Sequence, residues 1–253
     1  VEASLITNLE LTWAQHEGKC EDCNRKLSCR LHDLAQRYVF NKKKFSDRKA
    51  GKHPYQFGPS IHFEPDKCIN CENCSEMCAM QTNGGFIRPR EGKYNFEVSP
   101  SREMHHDCIY CGQCIIHCPT GALSEVEDYY KVLELINRGK KVVLQFAPAV
   151  RTSLGEEFGL TVGENVTDKI YSAAKMLGVY KIFDTSFAAD VTIMEEAAEL
   201  IHKVKSDCKE VMFSSCCPAW DKYVEFNEPG FIKNLTSVRS PQAIMGGLIK
   251  TYW

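Results

Sequence analysis

Residues 68–78 read Cys-Ile-Asn-Cys-Glu-Asn-Cys-Ser-Glu-Met-Cys, and residues 108–118 read Cys-Ile-Tyr-Cys-Gly-Gln-Cys-Ile-Ile-His-Cys. Both follow C-x-x-C-x-x-C-x-x-x-C, offset by 40 residues. Internal duplication at this scale is a fold-level signal, and each copy lies between short strand-like runs within residues 61–126. A cubane iron–sulfur cluster takes four thiolates in tetrahedral directions. Cysteines at i, i+3 and i+6 wrap one set of corners, and the fourth crosses to the other cluster. The spacing therefore predicts one 4Fe–4S cluster on Cys68, Cys71, Cys74 and Cys118, and a second on Cys108, Cys111, Cys114 and Cys78. Zinc, the competing reading, usually takes two C-x-x-C pairs separated by a longer loop.

Outward toward the N-terminus lie His16, Cys20, Cys23 and Cys29, four soft or borderline ligands suited to one metal centre. From spacing alone, zinc and an iron–sulfur cluster both stay open here; the adjacent ferredoxin-type motifs tilt the choice to a third 4Fe–4S cluster. His32, on the helical pattern Leu27, Leu31, Leu34, Ala35, Tyr38, reads as a surface histidine. Residues 41–60, with Lys42, Lys43, Lys44, Arg48, Lys49 and Lys52 among glycines and prolines, read as a solvated linker.

Outward toward the C-terminus the texture turns to α/β. Helical patterns over Tyr129–Arg138 and Asn165–Leu177 stop at Gly139 and Gly178. Strand-like runs fall at Val142–Phe146, Tyr180–Phe183 and Val211–Phe213. Phe187–Val204 reads as a long helix with Val191, Met194, Ala198 and Ile201 on its apolar face, and Ser240-Pro241 as the N-cap and first position of another. Strands alternating with helices predict a parallel sheet. Ala147-Pro148-Ala149, Asp184-Thr185-Ser186 and Ser214-Ser215-Cys216-Cys217 each follow a strand, where open α/β sheets bind ligands.

Composition narrows the class. The 253 residues carry 31 Lys and Arg against 33 Asp and Glu, a net charge of −2. That balance disfavours a general nucleic-acid or anionic-membrane surface. No apolar run is long enough to span a bilayer, and 43% hydrophobic content excludes a disordered chain. Fourteen clustered cysteines suit metal centres in a reducing compartment, cytoplasmic or organellar. The chain opens on Val1 with no apolar leader behind it, and its last helix still runs at Trp253, so we expect a mature or truncated start and a cut C-terminus.

Ser215-Cys216-Cys217-Pro218-Ala219-Trp220 resembles the first of three signatures of the FeFe hydrogenases. Phe146–Arg151, Phe183–Glu196 and Ser240-Pro241-Gln242 are similar to further stretches of that catalytic domain, and His16 with its three cysteines to the family's distal accessory cluster. The resemblance implies an oxidoreductase that reversibly reduces protons to H2. Its electrons would come from a ferredoxin or similar donor, through three accessory 4Fe–4S clusters, to a six-iron H-cluster. It further implies Cys217 as a cubane ligand and Cys216 as the thiol that passes protons. Glu196, Glu199, Lys203 and Thr236 would lie along the proton path, Ala147, Pro148 and Ala149 would be backbone donors to cyanides, and Met194 would line the pocket, though a helix-core role is as natural.

The family's two further signatures, with three more cubane thiolates and a lysine, are absent. Once eleven cysteines are assigned to accessory clusters, Cys208, Cys216 and Cys217 are left, one short of four. The expected layout is α/β plus α+β. A His-Cys cluster domain with linker would occupy residues 1–60 and a ferredoxin-like two-cluster domain residues 61–127. The first part of a parallel-sheet H-cluster domain would occupy 128–253. Two other readings remain: an electron-transfer subunit of an NADH- or formate-dehydrogenase complex, and a non-catalytic iron–sulfur assembly relative.

Overall fold

The computed structural model describes residues 1–16, 20, 21, 23, 25–46, 53–82, 85–91, 96–100, 107–206 and 209–253, with backbone alone for 89–91 and 96–100. The chain is mixed α/β with small sheets. It divides into two compact units, Val1–Val126 and Glu127–Trp253.

In the first unit, α1 (Glu2–Trp13) and α2 (Arg30–Arg37) precede β1 (Tyr55–Phe57) and β2 (Ile61–Phe63). Helix α3 (Asn73–Thr82), strands β3 (Ile87–Glu91) and β4 (Phe96–Pro100), helix α4 (Gln113–Ile116) and β5 (Leu123–Glu125) follow. Strands β1, β2 and β5 form an antiparallel sheet in which Phe63 faces both Tyr55 and Leu123. Alternation places Ile61 and Phe63 inward while His62 stays partly exposed. Each fully buried side chain of this kind contributes roughly 1.5–3 kcal/mol. Tyr55 meets Phe63 edge-on at 5.2 Å. The two cysteine motifs thus lie inside one core, between the first strands and β5, which pairs back onto β2.

Three expectations change here. Tyr55–Phe57 is a sheet strand rather than linker, because its inward Phe57 joins the aromatic core. Leu27 is fully exposed and precedes α2, so the apolar pattern begins one turn too early. The short runs expected between the motifs pair with each other as the β3–β4 hairpin, so they form one ribbon rather than flanks of two separate copies. Arg48, Lys49 and Lys52 lie outside the described residues.

In the second unit α5 (Tyr129–Asn137), β6 (Val143–Phe146), α6 (Pro148–Ser153), α7 (Thr167–Met176), β7 (Lys181–Asp184), α8 (Ser186–Lys205), α9 (Pro218–Asn227) and α10 (Pro241–Tyr252) follow in order. Strands β6 and β7 pair in parallel, Val143 beside Lys181 through Phe146 beside Asp184. Phe146, Val166 and Ile170 form the core against Leu160, Tyr171 and Ile182. Gly139 and Gly178 end α5 and α7 at φ +73° and +93°, the left-handed stop that glycine takes without a Cβ penalty. The Ser240 hydroxyl accepts the Ala243 N–H at 3.3 Å, and Pro241 opens α10.

The expected strand at Val211–Phe213 reduces to one parallel bridge. Phe213 N–H donates to the Asn234 carbonyl and Thr236 N–H to the Phe213 carbonyl, both at 2.8 Å. The apolar face foreseen for α8 is also reversed. Ala188 and Thr192 are buried and Glu196, Glu199 and Lys203 half-buried, whereas Met194 and Ile201 are exposed. Helix α8 packs α10, and small and polar residues let the two approach. Met194 is 71% exposed, so it is no helix-core residue within this unit.

Candidate iron–sulfur and catalytic sites

The two cysteine motifs fold by the same local device. Asn70 and Glu72 in the first, Tyr110 and Gly112 in the second, take positive φ of 54°, 62°, 56° and 75°. This winding turns backbone donors onto sulfur. Asn70 N–H lies 3.4 Å from Cys68 Sγ, and Tyr110 N–H lies 3.3 Å from Cys108 Sγ. Phe86 and Ile87 N–H reach Cys78 Sγ at 3.1 and 3.3 Å.

Two cavities result. Cys68, Cys71, Cys74 and Cys118 line one, walled by Phe63, Ala122 and Leu123. Cys78, Cys108, Cys111 and Cys114 line the other, walled by Ile61, Ile87 and Ile109. Each cavity gathers three cysteines of one motif and the last of the other. Among the described residues no three His, Cys, Asp or Glu side chains converge as ligands of a single ion do. A cluster that takes one thiolate per iron asks for sulfurs spread around a cavity with apolar walls, and these residues fit it.

Electrostatics agree with that crowding. Burial, with the neighbouring Cys68, Cys118, Cys71 and Cys114 charges, pushes the Cys74 thiol up to about 12. Burial and then Cys108, Cys111 and Cys78 push Cys114 up to about 12. Cys108 rises to about 11, through burial opposed by the Tyr110 N–H and reinforced by Cys78 and Cys111. Without iron these thiols hold their protons at neutral pH, so cluster insertion must release them.

In the His-Cys segment, Cys29 is buried and Cys20 and Cys23 are half-buried. Burial, then the charges of Cys29 and Cys23, raises Cys20, which brings these three thiols within electrostatic reach of one another. His16 is buried, with Nδ1 2.9 Å from the Lys67 carbonyl. A carbonyl only accepts, so Nδ1 carries the proton in this contact. Asn70 Nδ2 donates to Gln15 Oε1 at 2.8 Å, and Arg25 donates to the Ile115 carbonyl at 3.0 Å. These contacts dock the segment on both cysteine loops. The His32 ring meets the Gln36 amide at 3.3 Å, one turn along α2.

In the second unit the strand ends meet as expected. Arg151 Nη1 bonds Asp184 Oδ2 at 2.6 Å, and its Nη2 reaches Ser186 Oγ at 3.2 Å, tying the end of β6 to that of β7. Burial alone would raise Asp184, but the Ser186 N–H and hydroxyl and the Arg151 guanidinium outweigh it and hold the carboxyl below its usual range.

Cys216 and Cys217 are exposed, Cys217 standing as N-cap of α9. Just before them the Ser214 hydroxyl donates to Glu196 Oε1 at 2.6 Å, and the Thr236 hydroxyl donates to the same oxygen at 3.0 Å. Ser215 N–H lies 3.2 Å from Thr236 Oγ1, and the Ser215 hydroxyl donates to the Thr236 and Val238 carbonyls. Glu199 accepts from Ser237 N–H at 3.2 Å, with Lys203 at 3.8 Å. The hydrogen bonds of Ser214, Ser215 and Ser237 are what pattern reading missed: the first two were read only as part of a strand-end constellation, and Ser237 not at all. Nothing in their identity marks them, since their partners lie about twenty or more positions away. Ala147 and Ala149 flank the start of α6, but Pro148 between them has no N–H, so a backbone donor there is excluded. Cys208 lies outside the described residues.

Residues 140–253 match the family described as iron only hydrogenase large subunit, C-terminal domain, and residues 67–123 match the 4Fe-4S dicluster domain. The NADP-reducing hydrogenase subunit HndD of Solidesulfovibrio fructosivorans is 36% identical over 98% of this chain and 44% of its own length. Iron hydrogenase 1 of Clostridium pasteurianum is 37% identical over 94% of this chain and 42% of its own. The cytosolic iron-sulfur assembly component 3 of Pongo abelii is 31% identical over 69% of this chain and 39% of its own. The chain thus spans less than half the length of each of these relatives.

Proposed function

Because the chain belongs to the iron-only hydrogenase family, we propose that it carries the electron-input and proton-input portions of an enzyme that interconverts protons, electrons and H2. In this reading residues 1–60 and 61–127 form the electron-relay domains, fed by a ferredoxin-like donor. Residues 128–253 begin the H-cluster domain. The relay comprises three 4Fe–4S clusters, held by His16, Cys20, Cys23 and Cys29, and by the two exchanged cysteine sets.

The H-cluster, when bound, supplies the iron site where electrons and protons combine. Cys217 gives that group a thiolate, while the Cys216 thiol holds a transferable proton at Sγ. The Glu196 carboxyl group, oriented by the Ser214 and Thr236 hydroxyls that fix Oε1, delivers a proton to that thiol when H2 forms and takes it back in the reverse direction. Glu199, held by Ser237 and partnered by Lys203, continues the path toward solvent. Ala147 and Ala149 offer backbone N–H groups at the first turn of α6, where helix donors have no internal partner.

The observation that carries the reading is the hydrogen-bonded chain Ser214–Glu196–Thr236–Ser215 directly before Cys216. An acidic group bound by two hydroxyls, one of them two residues before an exposed thiol, suits proton passage and has no use in electron relay alone. The likeness to the assembly component favours a second, non-catalytic reading. Infrared spectra of the whole protein after anaerobic maturation separate the two. Carbonyl and cyanide bands together with H2 from reduced viologen support hydrogen chemistry; a cluster-loaded protein without either overturns it.

A further inference from the structure

The Lys67 carbonyl is a shared acceptor. The Thr120 hydroxyl donates to it at 2.6 Å, and His16 Nδ1–H donates to it at 2.9 Å. Thr120 is 2% exposed and His16 6% exposed, so water does not substitute for either donor. Lys67 precedes Cys68, and Thr120 follows Cys118 by two residues, both cysteines lining the same cavity. One peptide oxygen is therefore bonded by a residue of the cysteine cradle and by the one imidazole of the His-Cys segment.

We propose that Thr120 is a positioning residue for His16, acting through the Lys67 carbonyl on the electron-donating strength of the imidazole. The proposal rests on the reading of His16 as a ligand of an iron–sulfur cluster. A carbonyl oxygen that accepts two hydrogen bonds gives less electron density to each. With Thr120 bonded, His16 Nδ1–H is polarised moderately. With Thr120 removed, the carbonyl pulls harder on that proton, and the imidazole gains imidazolate character. A more basic imidazole donates more to its metal and stabilises the oxidised cluster, so the potential of the histidine-ligated centre falls. Thr120 also lies 4.0 Å from Cys118 Sγ, so the test must tell the two centres apart.

Nitrogen hyperfine coupling does so, because only a centre bound by His16 carries it. Cluster-loaded protein is titrated with reductant and followed by pulsed EPR. Thr120→Val is expected to shift the midpoint of the nitrogen-coupled centre to more negative potential and to alter its nitrogen coupling. Thr120→Ser, which keeps the hydroxyl, should restore both. The centre on Cys78, Cys108, Cys111 and Cys114 should stay where it was. If Thr120→Val fails to take up its clusters, Thr120→Ala gives the same comparison. A nitrogen-coupled centre whose potential and coupling are the same in these variants overturns the positioning role and leaves His16 as a ligand. No nitrogen coupling on any centre of the unaltered protein overturns the ligand reading, and the inference with it.

Discussion

Cys216 is solvent-exposed, so its side chain can be exchanged without disturbing the fold. Cys216→Ala in the whole, matured protein is expected to abolish H2 turnover while the carbonyl and cyanide infrared bands persist; bands lost with activity would make Cys216 a ligand instead. Asp184 makes a prediction about pH. Its carboxyl is depressed in the folded chain, so its contribution is fully present above the ordinary Asp value and fades as pH falls through the folded one. The Arg151 pair is about a quarter exposed, and Asp184→Asn should cost about 1 kcal/mol near neutral pH. Urea titrations of both forms should show that gap closing below about pH 4. A gap that widens in acid would reverse the sign. These residues also show what a sequence can disclose. The cysteine spacing alone paired Cys118 with Cys68, Cys71 and Cys74 around one cavity, since cluster geometry constrains short spacings. The pairing of Ser214 with Glu196 escaped notice because a hydroxyl partner 18 residues distant leaves no periodic mark.

Local signals located strand and helix ends better than they located faces. Helices α7, α8 and α10 fall within a few residues of expectation, because Gly178, and Ser240 with Pro241, are stops and starts set by backbone sterics. The buried side of α8 was misread because apolar periodicity reports which face avoids water, whereas α10 and the Phe213–Leu235 bridge lie against the small and polar one. The pairing of β3 with β4 went unforeseen because a ribbon with Pro89 and charged residues carries little strand alternation. The α7 stop can be measured. At Gly178 φ is +93°, and an added Cβ would sit 2.8 Å from Ile136 Cγ2. Gly178→Ala combines strain with that contact and should cost about 1–2 kcal/mol in chemical denaturation. An unchanged midpoint would show that α5 and α7 move apart freely.

At the scale of the molecule, the chain divides into two compact units. Full anaerobic reconstitution should load about 12 irons into the first unit, three cubanes of four; a preparation dominated by zinc, or holding fewer than about eight irons, contradicts the cluster assignment. Cys78→Ser, although it alters the first motif, should perturb the EPR signal of the centre bordered by Cys108, Cys111 and Cys114. A change confined to the centre bordered by Cys68, Cys71 and Cys74 would reverse the pairing. That exchange of final cysteines also bears on descent. A repeated segment whose copies each closed their own cage could later be shed, shuffled or copied singly. Here every copy finishes its neighbour's cage, so a deletion of either leaves two incomplete ones. The doubling is then hard to undo by small steps, and the two motifs are inherited as one unit.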